Sequence, residues 1–307
     1  MSSGPIAKIV PGKGQHYALC VLDYNMDIES NVCAVTLDEN GQADRDKACS
    51  YCYAAYLYKK DPNAYRVKTI KESEFKKISE KYGHAANGDG LILRLGKNVE
   101  CGHKKTRAQL YQVLEYCVKY NLRPVVTSKL LEFDKRVADL VIASRGVVHI
   151  SLGDDTLETG AVRQGATNRW RLAQAIRYKR YGAPVQVRIV SDVTLAMNEF
   201  HERVFEHMGS RGILLTPLHY TNKSDFAHYH QDITWDEAKK TGLFSYTHGD
   251  LRPNKIHKDW AKVKERCGTV AGKEYCNNCV GKIGFNKKTY KDALIELGWN
   301  TPVEATA

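Results

Sequence analysis

The sequence predicts an α/β fold in which parallel strands are joined by crossover helices. Six short apolar or alternating runs have the composition of strands, and helical patterns fill the gaps between them. Regular alternation of strand and helix favours a barrel or a doubly wound sheet, with the functional loops at the carboxyl ends of the strands. The strand-like runs cover residues 17–22, 91–95, 123–128, 147–152, 185–190 and 212–218.

Two of the intervening segments carry clear helix signals. Thr106 and Gln109 form a potential capping box, and Leu110, Val113, Leu114 and Cys117 follow it on one apolar stripe. The second helix is expected to begin at an Asn168 cap and to end at Gly182. Its predicted inward face carries Leu172, Ala175, Ile176 and Lys179.

The alternation fades near residue 231, and the pattern there predicts a change of domain. We expect an N-terminal extension over residues 1–15, a barrel over 16–230 and a cysteine-bearing subdomain over 231–307. A second capping box, Thr234 with Glu237, lies at the start of that subdomain.

Composition and charge narrow the classes of function. Lys and Arg outnumber Asp and Glu by 46 to 35, which gives a net charge of +11 and favours an anionic partner such as nucleic acid or a nucleotide. A basic surface that is only well solvated is the simpler alternative. No apolar run reaches the roughly 18 residues that a membrane span needs, and the N-terminus lacks a signal-peptide core. We therefore expect a cytoplasmic protein with no membrane partner, whose nine cysteines are reduced.

Three cysteines lie on the loop after the first predicted strand. Cys33, Cys49 and Cys52 suit a four-iron four-sulfur cluster that leaves one iron without a protein ligand. A zinc site would need a fourth ligand, for which Asp44, Asp46 and His84 are candidates. Packing in the core is a third interpretation, which fits the polar segment DKACSYCYA poorly.

A second group of cysteines lies near the C-terminus. Cys267, Cys276 and Cys279 predict another metal site, either an iron–sulfur cluster or zinc with His248 or His257 as a fourth ligand. Alternatively, the two close pairs, Cys49 with Cys52 and Cys276 with Cys279, could share one zinc.

Cys49-Ser50-Tyr51-Cys52 resembles the Cys-x-aromatic-Cys ending of the radical SAM superfamily. Fifteen residues separate Cys33 from Cys49, where the usual pattern has three. The insertion is compatible with the motif, because the entropic cost of closing a loop rises by only about 0.6 kcal/mol per doubling of its length. The segment from VVHISL to VQVRIV, with its acidic glycine-bearing loop and RL helix, is similar to the spore photoproduct lyase branch. LRLGKNVECG retains a fragment of the family's Gly-Gly-Glu pattern.

The resemblance implies a partial (β/α)6 barrel of the radical SAM type that binds a 4Fe-4S cluster and S-adenosylmethionine (SAM). Reductive cleavage of SAM would give a 5'-deoxyadenosyl radical that abstracts hydrogen, with an external one-electron reductant as a partner. Cys33, Cys49 and Cys52 would ligate iron, the Tyr51 backbone would lie near the adenine, and Glu100 would receive the methionine ammonium. The other implied cofactor contacts are Gly96, Ser128, Ser151 and Arg188, and the candidate catalytic residues are Cys101 and Lys129.

The substrate is expected to be a nucleotide or a base in nucleic acid, for modification, rearrangement or repair. A base in a duplex would have to be flipped into the barrel, and basic residues after the second and fourth strands could hold its phosphates. The competing class is a zinc-binding, basic nucleic-acid-binding module without catalysis. The sequence does not define the oligomeric state.

Overall fold

The computed structural model describes residues 7–9, 21–24, 70–82, 91–96, 100–163, 165–220, 222–247, 249–263, 265–266, 269–270 and 273–274. The described residues up to Gln186 form one compact unit, and those from Val187 onward form a second. The boundaries expected from the sequence, at residues 15 and 230, remain predictions.

The first unit is built on a sheet with four parallel strands. These are β2 (Val21–Tyr24), β3 (Leu91–Leu95), β4 (Leu122–Ser128) and β5 (Val147–Leu152), preceded by β1 (Ala7–Ile9), which pairs antiparallel with β2. Adjacent strands follow one another in sequence order, so the carboxyl ends of β2 to β5 lie at one edge. The mixed α/β class is thus confirmed, and closure into a partial barrel remains a prediction.

Helices of the first unit occupy the segments between its strands. They are α1 (Glu72–Tyr82), α2 (Arg107–Lys119), α3 (Lys135–Ala143), α4 (Thr159–Val162) and α5 (Asn168–Tyr181). The apolar stripe predicted for α2 is buried in full. On α5, Leu172 and Ala175 are buried as expected, whereas Ile176 and Lys179 are only partly covered.

Two helix caps differ from the sequence prediction. Thr106 makes no capping hydrogen bond, because its hydroxyl donates to the carbonyls of Cys101 and His103 at 3.0 and 2.9 Å. The cap of α5 is Thr167 rather than Asn168, with Trp170 N donating to Thr167 Oγ1 at 3.3 Å. Gly182 ends α5 in the left-handed region at a φ of 96°, where glycine is unstrained, as predicted.

The two faces of the first sheet differ in polarity. Leu93, Leu95, Val126, Val148 and Ile150 alternate onto one face and are almost wholly buried. On the opposite face, the described buried side chains include the polar Arg123, Thr127 and His149, beside Val125 and Val147. A polar interior face is unusual for a sheet that only fills a core, and it predicts contact with something other than an apolar layer.

The second unit combines parallel strands with a small aromatic core. Strand β6 (Val185–Ser191), which begins at the end of the first unit, pairs parallel with β7 (Ile213–Pro217), and β7 pairs parallel with β10 (Glu265–Arg266). Helix α6 (Glu199–Met208) connects β6 to β7. Helices α7 (Lys223–Tyr229) and α8 (Trp235–Ala238) follow. Strand β8 (Phe244–Thr247) pairs antiparallel with β9 (Asp250–Pro253), and β11 (Thr269–Val270) pairs antiparallel with β12 (Lys273–Glu274).

The strands match their predicted positions closely. The runs at 91–95 and 147–152 are reproduced without change, and the runs at 123–128, 185–190 and 212–218 differ by one residue at one or both ends. Of the run at 17–22, residues 17–20 lie outside the described residues, and β2 begins at Val21. The capping box of Thr234 and Glu237 is also confirmed at α8. None of the helices within the described ranges is long and apolar enough to cross a membrane.

Candidate active site

The carboxyl edge of the first sheet brings three polar segments together. Glu100 lies beyond the end of β3, Ser128 and Lys129 lie at the end of β4, and the loop after β5 leads to Glu158. Parallel topology places these segments side by side, since every strand of the set ends at the same edge. The sequence predicted Glu100, Ser128 and Lys129 as site residues, and the structure places all three at this edge.

Glu100 is a buried carboxylate held by neutral donors. The residue is 7% exposed. Oε1 accepts hydrogen bonds from Gly102 N at 2.9 Å and from the Ser128 hydroxyl, and Oε2 accepts one from Lys129 N at 2.8 Å. Within the described part of the chain, no lysine, arginine or histidine forms an ion pair with it. A fixed, buried carboxylate of this kind is suited to receive a cation from a ligand, such as an ammonium group.

Two glycines allow the loop after β3 to approach β4 closely. Gly96 has a φ of 78°, and a Cβ there would lie 2.1 Å from Thr127 O. A Cβ on Gly102 would lie 2.2 Å from Ser128 Oγ. Both glycines are therefore needed to bring Glu100 onto the end of β4, and the cofactor contact implied for Gly96 remains a prediction.

Glu158 forms a second, cationic cluster at the same edge. It is 1% exposed, and it pairs with Lys129 Nζ at 2.8 Å and with Arg171, which is itself fully buried. Arg171 also donates to the carbonyls of Ala166 at 2.7 Å and of Ser151 at 3.2 Å. Glu158 thus holds two cationic side chains at this edge.

Sequence reasoning missed Glu158 and Arg171 as functional residues. The signal was present in the acidic, glycine-bearing loop and in the Arg-Leu pair of the following helix. Gly153 makes the contact possible, since a Cβ there would lie 2.1 Å from Glu158 Oε1. Ser151 enters the cluster through its backbone carbonyl, and the role implied for its side chain remains a prediction.

Cys101 is fully buried beside the end of β4. Its thiol donates to Thr127 O at 3.3 Å, and burial raises the pKa of Cys101 well above its ordinary value. Burial likewise raises the pKa of Cys117 in the core of α2. Both sulfurs therefore stay protonated at neutral pH, and hydrogen transfer from Cys101 remains a prediction.

Arg188 lies in the second unit, on one face of β6. Its Nε is buried and has no hydrogen-bond partner among the described residues, and the same is true of Thr216 Oγ1 on β7. Arg188 pairs in register with Leu214, and Val190 pairs with Thr216, so Arg188 and Thr216 share a face of the sheet. Unsatisfied buried polar groups are costly, which makes this face a candidate for ligand contact.

A buried polar network lies near the carboxyl ends of β6 and β7. Asp192 accepts hydrogen bonds from Tyr220 and from His230, whose Nε2 lies 2.8 Å from Oδ2. Burial alone would raise the pKa of Asp192, but the hydrogen bonds from His230 and Tyr220 outweigh it and lower that pKa. Burial and the neighbouring Asp192 charge raise the pKa of Tyr220. Sequence reasoning did not find this network, because its members are spread over 38 positions.

The predicted metal and adenine residues lie outside the described residues. They are Cys33, Cys49, Cys52, Tyr51, Cys267, Cys276 and Cys279. Within the described ranges, no cluster of three potential ligands could hold a metal ion. His257, one proposed zinc ligand, caps a 3-10 helix (Lys258–Lys262) by accepting from Asp259 N at 3.3 Å.

Comparison with known proteins gave matches among solved structures alone. No family model matches the chain, and no curated protein matches it. The chain is similar to a spore photoproduct lyase variant with bound AdoMet and a dinucleoside spore photoproduct, at 14% identity and a TM-score of 0.44, over 69% of this chain and 65% of that one. Another spore photoproduct lyase variant matches at 13% identity and a TM-score of 0.41, over 84% of this chain and 82% of that one.

Proposed function

We propose that the chain is a radical SAM enzyme that acts on a nucleotide or on a base in nucleic acid. The observation that carries the proposal is the position of Cys33, Cys49 and Cys52 in the segment that leaves the carboxyl end of β2. Strand β2 is the parallel neighbour of β3, and Glu100 follows β3. The cysteine motif and the buried carboxylate therefore follow, in sequence, two strands that are neighbours in the sheet.

In this proposal the edge residues bind and orient SAM. Glu100 would receive the methionine ammonium, for which it has a buried, fixed carboxylate. Lys129 and Arg171, which Glu158 holds at this edge, would bind the methionine carboxylate. When bound, the cluster and SAM would supply a 5'-deoxyadenosyl radical able to take hydrogen from an unactivated carbon.

The donor set of the chain is compatible with such a site. Three thiolates suit a cluster with one open iron, and the described edge offers one group for a ligand cation and others for a ligand anion. The net charge of +11 supports a polyanionic substrate. The proposal covers a lyase, an isomerase and a base-modifying enzyme, and it does not choose among these reaction classes.

Anaerobic purification tests the proposal directly. We expect a coloured protein that contains iron and sulfide, loses visible absorbance on reduction by dithionite, and releases 5'-deoxyadenosine from SAM. Cys33→Ala, Cys49→Ala and Cys52→Ala should each abolish that release. Cys117→Ala is the matched control, because it removes a core thiol and should leave cleavage intact.

Two results would contradict the proposal. Full iron content and full 5'-deoxyadenosine release in Cys33→Ala would exclude Cys33 as a ligand. A colourless protein with stoichiometric zinc would instead support a zinc-bearing nucleic-acid-binding module.

A further inference from the structure

Helix α5 has a strongly one-sided charge. Its fourteen residues include Arg169, Arg171, Arg177, Lys179 and Arg180, and they include no aspartate or glutamate. Arg171 is used internally by Glu158. The remaining arginines are exposed, and we call Arg169, Arg177 and Arg180 the arginine arc.

The three side chains of the arginine arc lie on one stripe of the helix. At about 100° per residue they fall within an arc of about 80°, and the positions from 169 to 180 span about 16 Å of helix length. Ala173, which is also exposed, lies between them and leaves the stripe sterically open.

The arginine arc has no carboxylate partner within the part of the chain that the structure describes. Among the described residues, none of its members forms an ion pair with a carboxylate, whereas exposed cations on neighbouring helices do. Lys119 pairs with Glu72 at 2.5 Å, and Arg136 pairs with Glu115 at 2.5 Å. Asp139 on α3, which accepts a hydrogen bond from the Tyr181 hydroxyl of α5 at 2.6 Å, is already paired with Lys135 Nζ at 2.8 Å.

One member of the arc is also held in place. The Arg177 guanidinium stacks over the Phe133 ring at 4.8 Å and donates to Gln174 Oε1 at 3.3 Å. Gln174 Oε1 also accepts from Phe133 N at 2.9 Å, so ring, amide and guanidinium fix one another. A charge that is ordered but unpaired loses little conformational entropy when it binds an anion.

We propose that the arginine arc of α5 binds the phosphate backbone of the nucleic-acid substrate outside the SAM site. Duplex DNA carries about one charge per 1.7 Å of its axis, so a stripe of this length that runs along the duplex faces several phosphates. Arginine, which supplies every cation of the arc, matches phosphate in a bidentate geometry. The inference deepens the proposed function by giving its substrate a docking surface, and it rests on that function.

The test is the salt dependence of DNA binding by the full-length protein. A short fluorescein-labelled duplex is titrated at several salt concentrations with wild type and with the triple variant Arg169→Gln, Arg177→Gln, Arg180→Gln. The slope of log K against log salt should become shallower by about 0.9 for each phosphate that the variant no longer neutralises. Glutamine is a good helix former, so α5 should persist, as circular dichroism can verify.

A matched control removes the same charge elsewhere. Lys71, Lys76 and Lys77 are exposed cations at α1, and their replacement by glutamine also lowers the net charge by three. The slope of this control should equal that of wild type. An equal loss of slope in both variants would assign the effect to overall charge and overturn the proposal, as would an unchanged slope in the arginine variant.

Two further measurements separate the remaining explanations. The triple Arg→Lys variant keeps the charge and should keep the slope, so a slope as shallow as that of the glutamine variant would overturn the proposal. An unchanged DNA slope with slower reduction by an acidic electron-transfer protein would assign the arc to that partner instead. SAM cleavage by the wild-type protein is measured separately, without DNA. If the wild type cleaved no SAM but the arginine variant still showed the shallower salt slope, the result would count against the proposed function alone.

Discussion

At the scale of single residues, the carboxyl edge depends on one carboxylate whose donors are all neutral. Glu100 accepts from Ser128, Gly102 and Lys129, and no described cation neutralises it. Its charge is therefore available to a ligand, whereas Glu158 already has two cations. In the proposed function, this difference would give the two buried glutamates separate tasks: Glu100 would bind a ligand cation, and Glu158 would hold Lys129 and Arg171 in place.

Glu100→Gln should weaken SAM binding by at least about tenfold, the effect of losing roughly 1.4 kcal/mol of charge attraction. The amide would also direct donors at Ser128 and the backbone, so a loss of stability of about 1–3 kcal/mol is expected. Calorimetric titration of the reconstituted protein with SAM measures the first effect, and thermal unfolding measures the second.

Ser128→Ala is the matched control for this prediction. It removes one hydrogen bond to Glu100 and keeps the negative charge, so SAM affinity should fall less than in Glu100→Gln. Equal affinity of Glu100→Gln and wild type would exclude Glu100 as the ammonium-binding residue.

The residues that could be predicted from sequence share a local signal. Ser128 and Lys129 lie at the end of a predicted strand, and Glu100 lies in LRLGKNVECG, which retains a fragment of the family's Gly-Gly-Glu pattern. Glu158 is separated from its strand by a turn and was not predicted. Its partner Arg171 looks like an ordinary helix residue until the fold buries it. Burial of a charged pair depends on tertiary packing, which a pattern of neighbouring residues does not encode.

At the scale of secondary-structure elements, hydrophobic periodicity was a reliable guide and capping was less so. The stripe of α2 followed from its spacing, because burial of an apolar face determines the helix. Thr106 has the sequence of a capping residue, yet its hydroxyl donates to carbonyls of the preceding turn. A hydroxyl can satisfy either partner, and only the turn geometry decides between them.

Helix α6 offers a pH-dependent test of one element. Its N-terminal capping box joins Asn198 and His201, and burial lowers the pKa of His201 to about 4 despite the charge of Glu202. The unfolded chain binds this proton near pH 6.5, so acidification from pH 6.5 to 4 favours unfolding. His201→Gln keeps a side chain able to complete the box and removes the titration.

We expect the midpoint of thermal unfolding to fall less between neutral pH and pH 5 in His201→Gln than in wild type. His207→Gln is the control, because His207 is an exposed histidine on the same helix. If His201→Gln and wild type lost the same number of degrees, a buried neutral His201 would be excluded.

At the scale of the whole molecule, the described residues divide into two units with different polar interiors. The first contains the Glu100 and Glu158 clusters, and the second contains the network of Asp192, Tyr220 and His230. The parallel direction of the strands in the first unit followed from the alternation of strand and helix. The later network did not, because it joins a strand end, a loop and a helix end by hydrogen bonds that have no sequence period.

The C-terminal cysteines remain a proposed second metal site. The double variant Cys276→Ser, Cys279→Ser should lose one metal site, measured by elemental analysis, and keep the iron of the SAM-binding cluster. The double variant Cys49→Ser, Cys52→Ser is the counterpart, which should lose the cluster and keep the other metal. Loss of all metal from either variant would indicate one site shared by both pairs.

The hydrogen bonds of Glu100 have a kinetic consequence. The amide hydrogens of Gly102 and Lys129 point into a buried carboxylate, so they exchange with deuterium only when this edge opens locally. The two amides belong to loops after different strands, and a shared opening event would give them similar exchange rates. A ligand that tightens the edge would slow both together, which turns two backbone positions into a reporter of occupancy that requires no turnover.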